Sequence, residues 1–575
     1  MTLGPDKAAG PDGFNAKIIQ NNWGIFGPSI LKEIYEFFNT GHMPTHIARS
    51  NMVLIPKTEE ATHVGQFCPI SVCNIVYKII SKVLCLRLKP FIASCVLIEQ
   101  SAFVPGREIS DNIILLREVL HSFRQRNYTR SDFCLKVDLS KSFDRMDWDY
   151  LQHILYFYGI PNRMVMWIMG CVRSAEFSVV LNGVGDGFFK PECGLRQGCA
   201  LSPYLFILGM DLLCRALNLL VTRNVLKGVR ISPSAMPLTS CVYADDLLLF
   251  GVANQTEAGL IAQTLNQFSV VSGQQVGPDK SSIWFSAATS EETKAQVSHV
   301  FSVSERFANV KYLGSHVSST QASYDFLVGN FSDELQAWKG CMLSHAGRIV
   351  LIKSVLQSLP IYYMATDKIP ASVTKEITRL IRKFFWGAVD KDRFLSYVSW
   401  DKITIPIEVG GLGIRDLPTV NDALLMKLLW KMASSTGPLW VNLVLAKYTP
   451  RTQIWHSKRT YRCTSFWRGV MRTREKLLPF VNWTVGDGAT CKVYGQPWFK
   501  GATIFIATTS DERKLLLKDL IDEDTGTWCA EELIQRFGYQ NFLQIVASVR
   551  APREDAGEDV LTFTKFANGW IRQEE

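Results

Sequence analysis

Three aspartates in two separate segments define the chemistry open to this chain. The stretch Thr239-Ser-Cys-Val-Tyr-Ala-Asp-Asp-Leu-Leu-Leu-Phe250 sets two adjacent carboxylates, Asp245 and Asp246, between apolar flanks rich in strand-forming residues. The flanks Cys241-Val242-Tyr243 and Leu247-Leu248-Leu249-Phe250 read as short buried strands, which puts the acidic pair at the tip of a tight hairpin. Taken alone, such a dipeptide also suits an ordinary polar turn. A second segment, Phe133-Cys-Leu-Lys-Val-Asp-Leu-Ser-Lys-Ser-Phe-Asp-Arg-Met-Asp-Trp148, has its first aspartate 107 residues earlier (245 minus 138). There an apolar strand ends at Asp138 and the chain turns into a helix running to about Tyr158. Like charges held close repel and lose hydration unless a cation lies between them, and oxygen-only ligands suit Mg²⁺. Two-metal phosphoryl transfer needs carboxylates on neighbouring strand ends that hold two Mg²⁺ roughly 3.5–4 Å apart, and Asp138 with Asp245 and Asp246 supplies them. Asp144 and Asp147, on the helix that follows, read as solvated or capping residues.

The elements that must position these groups are legible as periodicity. Apolar spacing predicts helices near 76–92, 148–158, 202–224 and 257–272. Beyond about residue 319 the pattern turns helical, with Phe326-Val328-Phe331-Leu335-Trp338 and Ile349-Ile352-Val355-Leu356 on helical spacing. The glycine turn Gly410-Gly-Leu-Gly413 precedes a helix expected from Asn421 to Met432. Trp430, Trp440, Trp455, Trp467, Trp483 and Trp498 are dispersed as core residues are, rather than grouped to stack on bases.

Composition bounds the remaining classes. A chain of 575 residues with 47% hydrophobic and 11% aromatic content can bury a large core in two to four domains, which excludes a disordered protein. The 62 Lys+Arg against 53 Asp+Glu give +9, spread thinly, as suits a groove that tracks a phosphate backbone. Fourteen cysteines at scattered spacings, with no Cys-x-x-Cys pair, point to free thiols in a reduced compartment and to no zinc site. No window offers the run of about 18 apolar residues that a membrane span requires. The closest, Tyr204 to Val221, carries Asp211 and Arg215 and reads as a buried helix.

Tyr243-Ala-Asp-Asp246, Asp138-Leu-Ser-Lys-Ser-Phe-Asp-Arg145, Gly194-Leu-Arg-Gln-Gly198 and Leu201-Ser-Pro-Tyr-Leu-Phe206 together resemble, in order and spacing, the reverse transcriptase of a plant-type non-LTR (LINE-type) retrotransposon. Upstream, Gly10-Pro-Asp-Gly-Phe14, Ile55-Pro-Lys57, Pro69-Ile-Ser71 and Gln100-Ser-Ala-Phe-Val-Pro-Gly-Arg107 resemble that family's finger motifs. Downstream, Ser272-Gly-Gln274, Lys311-Tyr-Leu-Gly314, Leu343-Ser-His-Ala-Gly-Arg348 and Trp483-Thr-Val-Gly-Asp-Gly488 continue the likeness over nearly the whole chain. The resemblance implies an α+β right-hand polymerase with an antiparallel palm sheet and a helical C-terminal region. Its expected parts are fingers at 1–130, palm at 131–318, thumb at 319–390, and a C-terminal region at 391–575.

Carried over residue by residue, the resemblance assigns Asp138, Asp245 and Asp246 to the catalytic metal triad, with the Leu139 carbonyl as a further ligand for two Mg²⁺ ions. Phe143 matches the aromatic position that packs under the nucleotide sugar and leaves no room for a 2′-hydroxyl. Gln197 and Gly198 take the loop that approaches the nascent base pair, and Lys280 the position of a proton donor or pyrophosphate contact. Tyr243, Arg107 and the hairpin Lys311-Tyr312-Leu-Gly314 are expected to contact template or primer.

The implied partners are an RNA template, a DNA primer, deoxynucleoside triphosphates, and an endonuclease domain or protein missing from this chain; no membrane is implied. The chain is expected to be an internal fragment, because Asp559-Val-Leu-Thr-Phe-Thr-Lys-Phe-Ala-Asn-Gly-Trp570 resembles the opening of the family's C-terminal zinc-binding module. An intracellular, nuclear location is the family expectation. Cys68, Cys199, Ala200 and Gly277 depart from the family pattern of Arg, Asp, Pro and Asn. They keep a second reading open, a catalytically decayed remnant of the same fold that at most binds RNA or RNA–DNA duplex.

Overall fold

Among the described residues, eight strands form before residue 300, where β-branched and aromatic residues run together: β1 (Arg49–Pro56), β2 (Phe67–Cys73), β3 (Asp132–Val137), β4 (Glu176–Leu181), β5 (Val184–Phe189), β6 (Ser240–Tyr243), β7 (Asp246–Val252) and β8 (Ser282–Phe285). The computed structural model describes residues 3–563 apart from 126, 306–310, 317–323, 339–342, 390–393, 435–436, 451–453, 458–461, 500–504, 508, 510 and 523. The chain divides into two units, Met1–Ile231 with Met236–Leu313, and Ser232–Ala235 with Gly314–Glu575.

In the first unit the order β6-β7-β3-β8 makes one fully antiparallel sheet, with Val137 opposite Leu247 and Leu135 opposite both Leu249 and Ile283. Its central strands are apolar on both faces because both are covered. Leu247, Leu248 and Leu249 are fully buried, and burial of each contributes about 1.5–3 kcal/mol. That apolar anchorage lets the same hairpin present carboxylates at its tip. The helices Ser202–Thr222 and Gln255–Ser272, within two or three residues of their expected bounds, share one core with Leu135, Val137, Leu247 and Leu249. Ser202–Thr222 is long and apolar enough to cross a membrane by composition alone. Here it is a core helix, and its buried Asp211 accepts from the Leu97 backbone N–H at 2.9 Å and from Arg215 Nε at 2.7 Å.

A second sheet, β2-β1-β4-β5, pairs β1 antiparallel to β2 and parallel to β4. This corrects one boundary. Residues 176–189 fall inside the span expected for the palm, but their hydrogen bonds join them to β1 and so to the fingers. The helix expected at 76–92 runs Ile75–Cys95. Asp147 caps the helix Trp148–Phe157 by accepting from the Tyr150 N–H at 2.7 Å, the capping role its position suggested.

The second unit is mostly helical. One core joins the helices Asp325–Ala337, Ala371–Phe385 and the start of Leu417–Ala433 through Leu327, Phe331, Ile377, Phe384 and Leu417. The thumb core therefore continues past residue 390, where a boundary was expected. Trp440, Trp455, Trp467 and Trp498 are buried, as anticipated for core tryptophans. Near the C-terminal end, strand Val481–Thr484 pairs with Val560–Phe563. The adjoining carboxylate of Asp559 accepts from the backbone N–H groups of Gly486, Gly488, Thr490 and Cys491 at 2.8–3.0 Å, and from the Thr490 hydroxyl at 3.1 Å. Residues 564–570 of the motif opening at Asp559 lie outside the described residues.

Burial alone would raise the Asp559 pKa, but the four backbone donors outweigh it and hold the carboxyl below its ordinary range. A depressed native pKa contributes stability above the unfolded value near about 3.9, and that stability is lost as pH falls through the native value. Asp559→Asn, which removes the charge and half the acceptors, should lower the stability of the C-terminal transition by about 3 kcal/mol at neutral pH. Denaturant unfolding at pH 7 and at pH 3 checks this, since the gap between variant and wild type should narrow in acid.

Candidate active site

The register of the palm sheet brings the three aspartates together. Val137 pairs with Leu247, so the next residues outward, Asp138 and Asp246, lie side by side where the two strands end. Residues alternate faces along a strand, which puts Lys136, Asp138 and Asp246 on one face. Asp245 occupies the two-residue turn that links Tyr243 to Asp246, and the Ser142 hydroxyl donates to its Oδ2 at 3.4 Å. Asp138 is fixed through its backbone, its N–H donating to Ser281 Oγ at 3.1 Å and its carbonyl accepting from the Gly277 N–H at 2.8 Å.

Burial, followed by the charges of Asp245 and Asp138, pushes the Asp246 carboxyl upward, while Lys136 pulls it down. Lys136 Nζ lies 3.6 Å from Asp246 Oδ1. The lysine is itself seated against the fully buried ring of Tyr312, 5.9 Å from the centroid, and the Tyr312 hydroxyl accepts from Asn112 Nδ2 at 3.3 Å. Sequence reasoning did not single out Lys136, although its position two residues before Asp138 places it on the same strand face.

The donor set suits a hard divalent cation: two carboxylates from one hairpin, a third from the adjoining strand end, and only oxygen atoms. The Leu139–Val276 bridge is held by bonds at Asp138 and Ser140, so the Leu139 carbonyl is directed to the opposite edge, the side of the hairpin. Among the described residues no three His, Cys, Asp or Glu side chains are already closed around one point. The raised Asp246 and its lysine partner show the consequence: the site is short of positive charge, and one ammonium supplies it.

The motif Gln100–Arg107 braces this hairpin. Val242 N–H donates to the Glu99 carbonyl at 2.8 Å and Ser101 N–H to the Val242 carbonyl at 2.9 Å, adding a short parallel edge to β6. The fully buried Gln100 side chain accepts from the Ala244 N–H at 3.1 Å. Ala244 sits at φ 55, in the left-handed region that costs an L-residue about 1–2 kcal/mol, so this bond pins the turn from which Asp245 projects. Arg107 corrects an expectation. Its guanidinium donates to the Val96 carbonyl at 3.1 Å and to those of Leu97 and Gln100, which spends three donors on the interior and makes it an internal strut.

The remaining residues divide. Phe143 is half-buried and stacked on Phe206 at 4.4 Å between centroids, a rigid ring beside the triad. Gln197 donates from Nε2 to Asp144 Oδ1 at 2.9 Å, and its carbonyl accepts from the Ser71 N–H at 2.7 Å, joining palm to β2. Gly198, at φ 105, approaches so closely that a Cβ would lie 2.7 Å from the Ser71 carbonyl oxygen. Cys68 Sγ donates to Gln197 Oε1 at 3.4 Å, which places this departure from the family pattern directly on the loop.

Lys280 is exposed on the turn Pro278–Lys280, whose flanking residues bond the Asp138 backbone. A Cβ on Gly277 would be 3.4 Å from Asp138 Oδ2, so glycine leaves that carboxylate uncovered. Tyr243 ends β6 half-buried, and burial pushes its phenol up. Lys311–Tyr312 and Ser315–His316 pair as a minimal hairpin turned by Leu313 at φ 48 and Gly314 at φ 77. Tyr312 points into the core behind Lys136 and not toward a primer, a second correction, while the Lys311 side chain lies outside the described residues.

Residues 55–317 match the protein family described as Reverse transcriptase (RNA-dependent DNA polymerase). The chain is 25% identical over 564 residues to the Transposon TX1 uncharacterized 149 kDa protein of Xenopus laevis, covering 93% of this chain and 42% of that protein. It is 27% identical over 434 residues to the retrovirus-related Pol polyprotein from the type-2 retrotransposable element R2DM of Drosophila melanogaster, covering 73% of this chain and 39% of the polyprotein. It thus spans under half the length of these relatives. A solved telomerase from Candida tropicalis, in complex with a fragment of telomeric RNA, aligns over 74% of this chain and 68% of its own at 13% identity and a TM-score of 0.36.

Two measurements follow from this geometry. Gln100→Met keeps the volume and removes the acceptor, so Ala244 loses its pin, and turnover should fall about tenfold or more with the fold intact by circular dichroism. Lys136→Met leaves Asp246 without its ammonium. The rise in thermal midpoint on adding a divalent cation should then exceed that of wild type, and should fade on acidification, since protons compete for a carboxyl already pushed up.

Proposed function

This chain belongs to the reverse transcriptases of non-LTR, LINE-type retrotransposons, and from that premise we propose that it is an RNA-directed DNA polymerase that copies its element's RNA from a DNA 3′ end. The observation that carries the reading is the convergence of Asp138, Asp245 and Asp246 at one sheet end, where apart from Lys136 they have no ion-pair partner among the described residues. Their carboxylates, with the Leu139 carbonyl, would hold two Mg²⁺ ions, which when bound activate a primer 3′-hydroxyl and neutralise charge on the departing pyrophosphate.

The chain's own residues supply position and selection. Phe143, backed by Phe206, presents a wall that a 2′-hydroxyl would meet, which favours deoxynucleoside triphosphates. The loop at Gln197 and Gly198 is held from both sides, by Asp144 and by Ser71, and can offer a fixed surface to the templated base pair. Lys280, exposed beside the Asp138 strand end, is placed to meet a phosphate leaving that end. The dispersed positive balance favours the backbones of an RNA template and a DNA primer. The primer end itself would come from an endonuclease activity, and copying onto chromosomal DNA puts the reaction in the nucleus.

Primer extension on a poly-ribonucleotide template with Mg²⁺ tests this reading, with Asp245→Ala and Cys68→Arg alongside. Incorporation by wild type should fall by about 10³-fold or more in Asp245→Ala. Cys68→Arg sets a guanidinium against the Gln197 side-chain oxygen Oε1 that Cys68 now contacts, and should improve use of dilute nucleotide. Incorporation unaffected by Asp245→Ala would overturn the reading. Silence in wild type and in Cys68→Arg alike would leave a fold that binds nucleic acid without copying it.

A further inference from the structure

The loop that carries Gln197 and Gly198 also holds a charge that polymerisation does not explain. Arg196 is 4% exposed, and none of its three guanidinium nitrogens has a hydrogen-bond partner among the described residues. Its guanidinium carbon lies 4.1 Å from the ring centroid of Tyr77, on the helix Ile75–Cys95, and 5.9 Å from that of Phe177 on β4. Stacking on an aromatic face returns part of the lost hydration but leaves the charge unmatched and the N–H donors unused.

The polar groups around it bring no anion. The ionisable neighbours that bear on Arg196 are Tyr77, Cys73, Cys199 and Cys171, with no carboxylate among them. Burial pushes the Cys73 and Cys171 thiols and the Tyr77 phenol upward, which keeps those three neutral. The Cys199 thiol donates to the Tyr77 hydroxyl at 3.7 Å, and that hydroxyl donates to the Cys171 carbonyl at 3.4 Å, so these groups are spent on one another.

Arg196 lines a cavity of about 10 Å³, room for about one water, together with Tyr77, Cys199, Leu201 and Ser202. Leu201 and Ser202 open the 21-residue helix Ser202–Thr222, and no side chain caps that end. Pro203 has no N–H, while those of Tyr204 and Leu205 turn back to the Leu201 carbonyl, which leaves the Ser202 N–H as the first-turn donor with no acceptor in the helix. A buried cation and the positive end of a long helix therefore face one small space.

We propose that this cavity binds a single monatomic anion, chloride or a like halide, between the Arg196 guanidinium and the open N-terminus of the helix Ser202–Thr222. A water could meet some of the donors, but it would not balance the charge. Sulfate or phosphate, with a shell of oxygens around the central atom, is too large for a space of this volume. Cys199 lines the cavity where the family pattern has Asp, so in this chain a free ion takes the role that a side-chain carboxylate could fill. The ion ties the loop to the helix behind it, and it does so whether or not the chain polymerises.

The test uses the full chain in sodium chloride and in sodium gluconate at equal ionic strength. Chloride should raise the wild-type thermal midpoint by several degrees over gluconate, with bromide acting alike, because a ligand bound only by the folded state stabilises it. Cys199→Asp places a fixed carboxylate in the cavity, so its midpoint in gluconate should exceed that of wild type and its chloride response should vanish. Arg196→Met should also lose the response, from a lower starting midpoint. Chlorine-35 NMR on wild type reads binding without any variant: the protein should broaden the chloride line, and bromide but not sulfate should restore it. Equal wild-type midpoints in chloride and gluconate, a chloride response in Cys199→Asp as large as in wild type, or sulfate displacing chloride as well as bromide does would each overturn the site.

Discussion

Mutual repulsion among three carboxylates is the constraint around which the first unit is organised. Asp138, Asp245 and Asp246 are held where two central strands run out of the sheet, and burial with the neighbouring charges already pushes Asp246 upward. A hairpin with acids at its tip would open in isolation. It stays closed because its stem is fully buried leucine, and because a second segment, Glu99–Ser101, adds backbone hydrogen bonds along β6 and a side-chain bond to Ala244. Lys136 supplies one compensating charge, seated on the buried Tyr312. Stability and function therefore conflict at this point, and the surrounding residues resolve the conflict by fixing backbone while leaving carboxylate oxygens uncovered.

Much of this was legible in the sequence. The apolar flanks at 241–243 and 247–250 form strands almost where alternation and β-branching put them, and the helices near 148–158, 202–224 and 257–272 appear within two or three residues of expectation. These are local signals, set by side-chain period and capping. The membership of β4 and β5 was not legible, because the parallel pairing of β4 with β1, to which β5 is joined only through β4, links residues 127 apart (176 minus 49) and leaves no local trace. Arg107 and Tyr312 failed for a related reason. A guanidinium or phenol can serve a ligand or the interior equally well, and the fold, by placing bare carbonyls beside one and Asn112 beside the other, decides which. Lys136 and Gln100 were missed although period two and proximity to the motifs could have raised them.

The loop from Gly194 to Cys199 is where the two sheets meet. Leu195 N–H donates to the Phe143 carbonyl at 2.7 Å, Gln197 reaches Asp144 and receives Ser71, and Gly198 lies against β2 too closely for any side chain. A segment bonded to both partners transmits a displacement of either one. The close approach at Gly198 makes the contact stiff, since no rotamer can absorb a shift of the Ser71 carbonyl. Cys199 lies on this segment and Cys68, on β2, contacts it through Gln197 Oε1, whereas Gly277 lies at the Asp138 strand end. The triad is positioned by other elements, since β3 and β7 carry Asp138 and Asp246 and Gln100 holds the turn at Ala244, and these bonds run along the sheet and its Glu99–Ser101 edge.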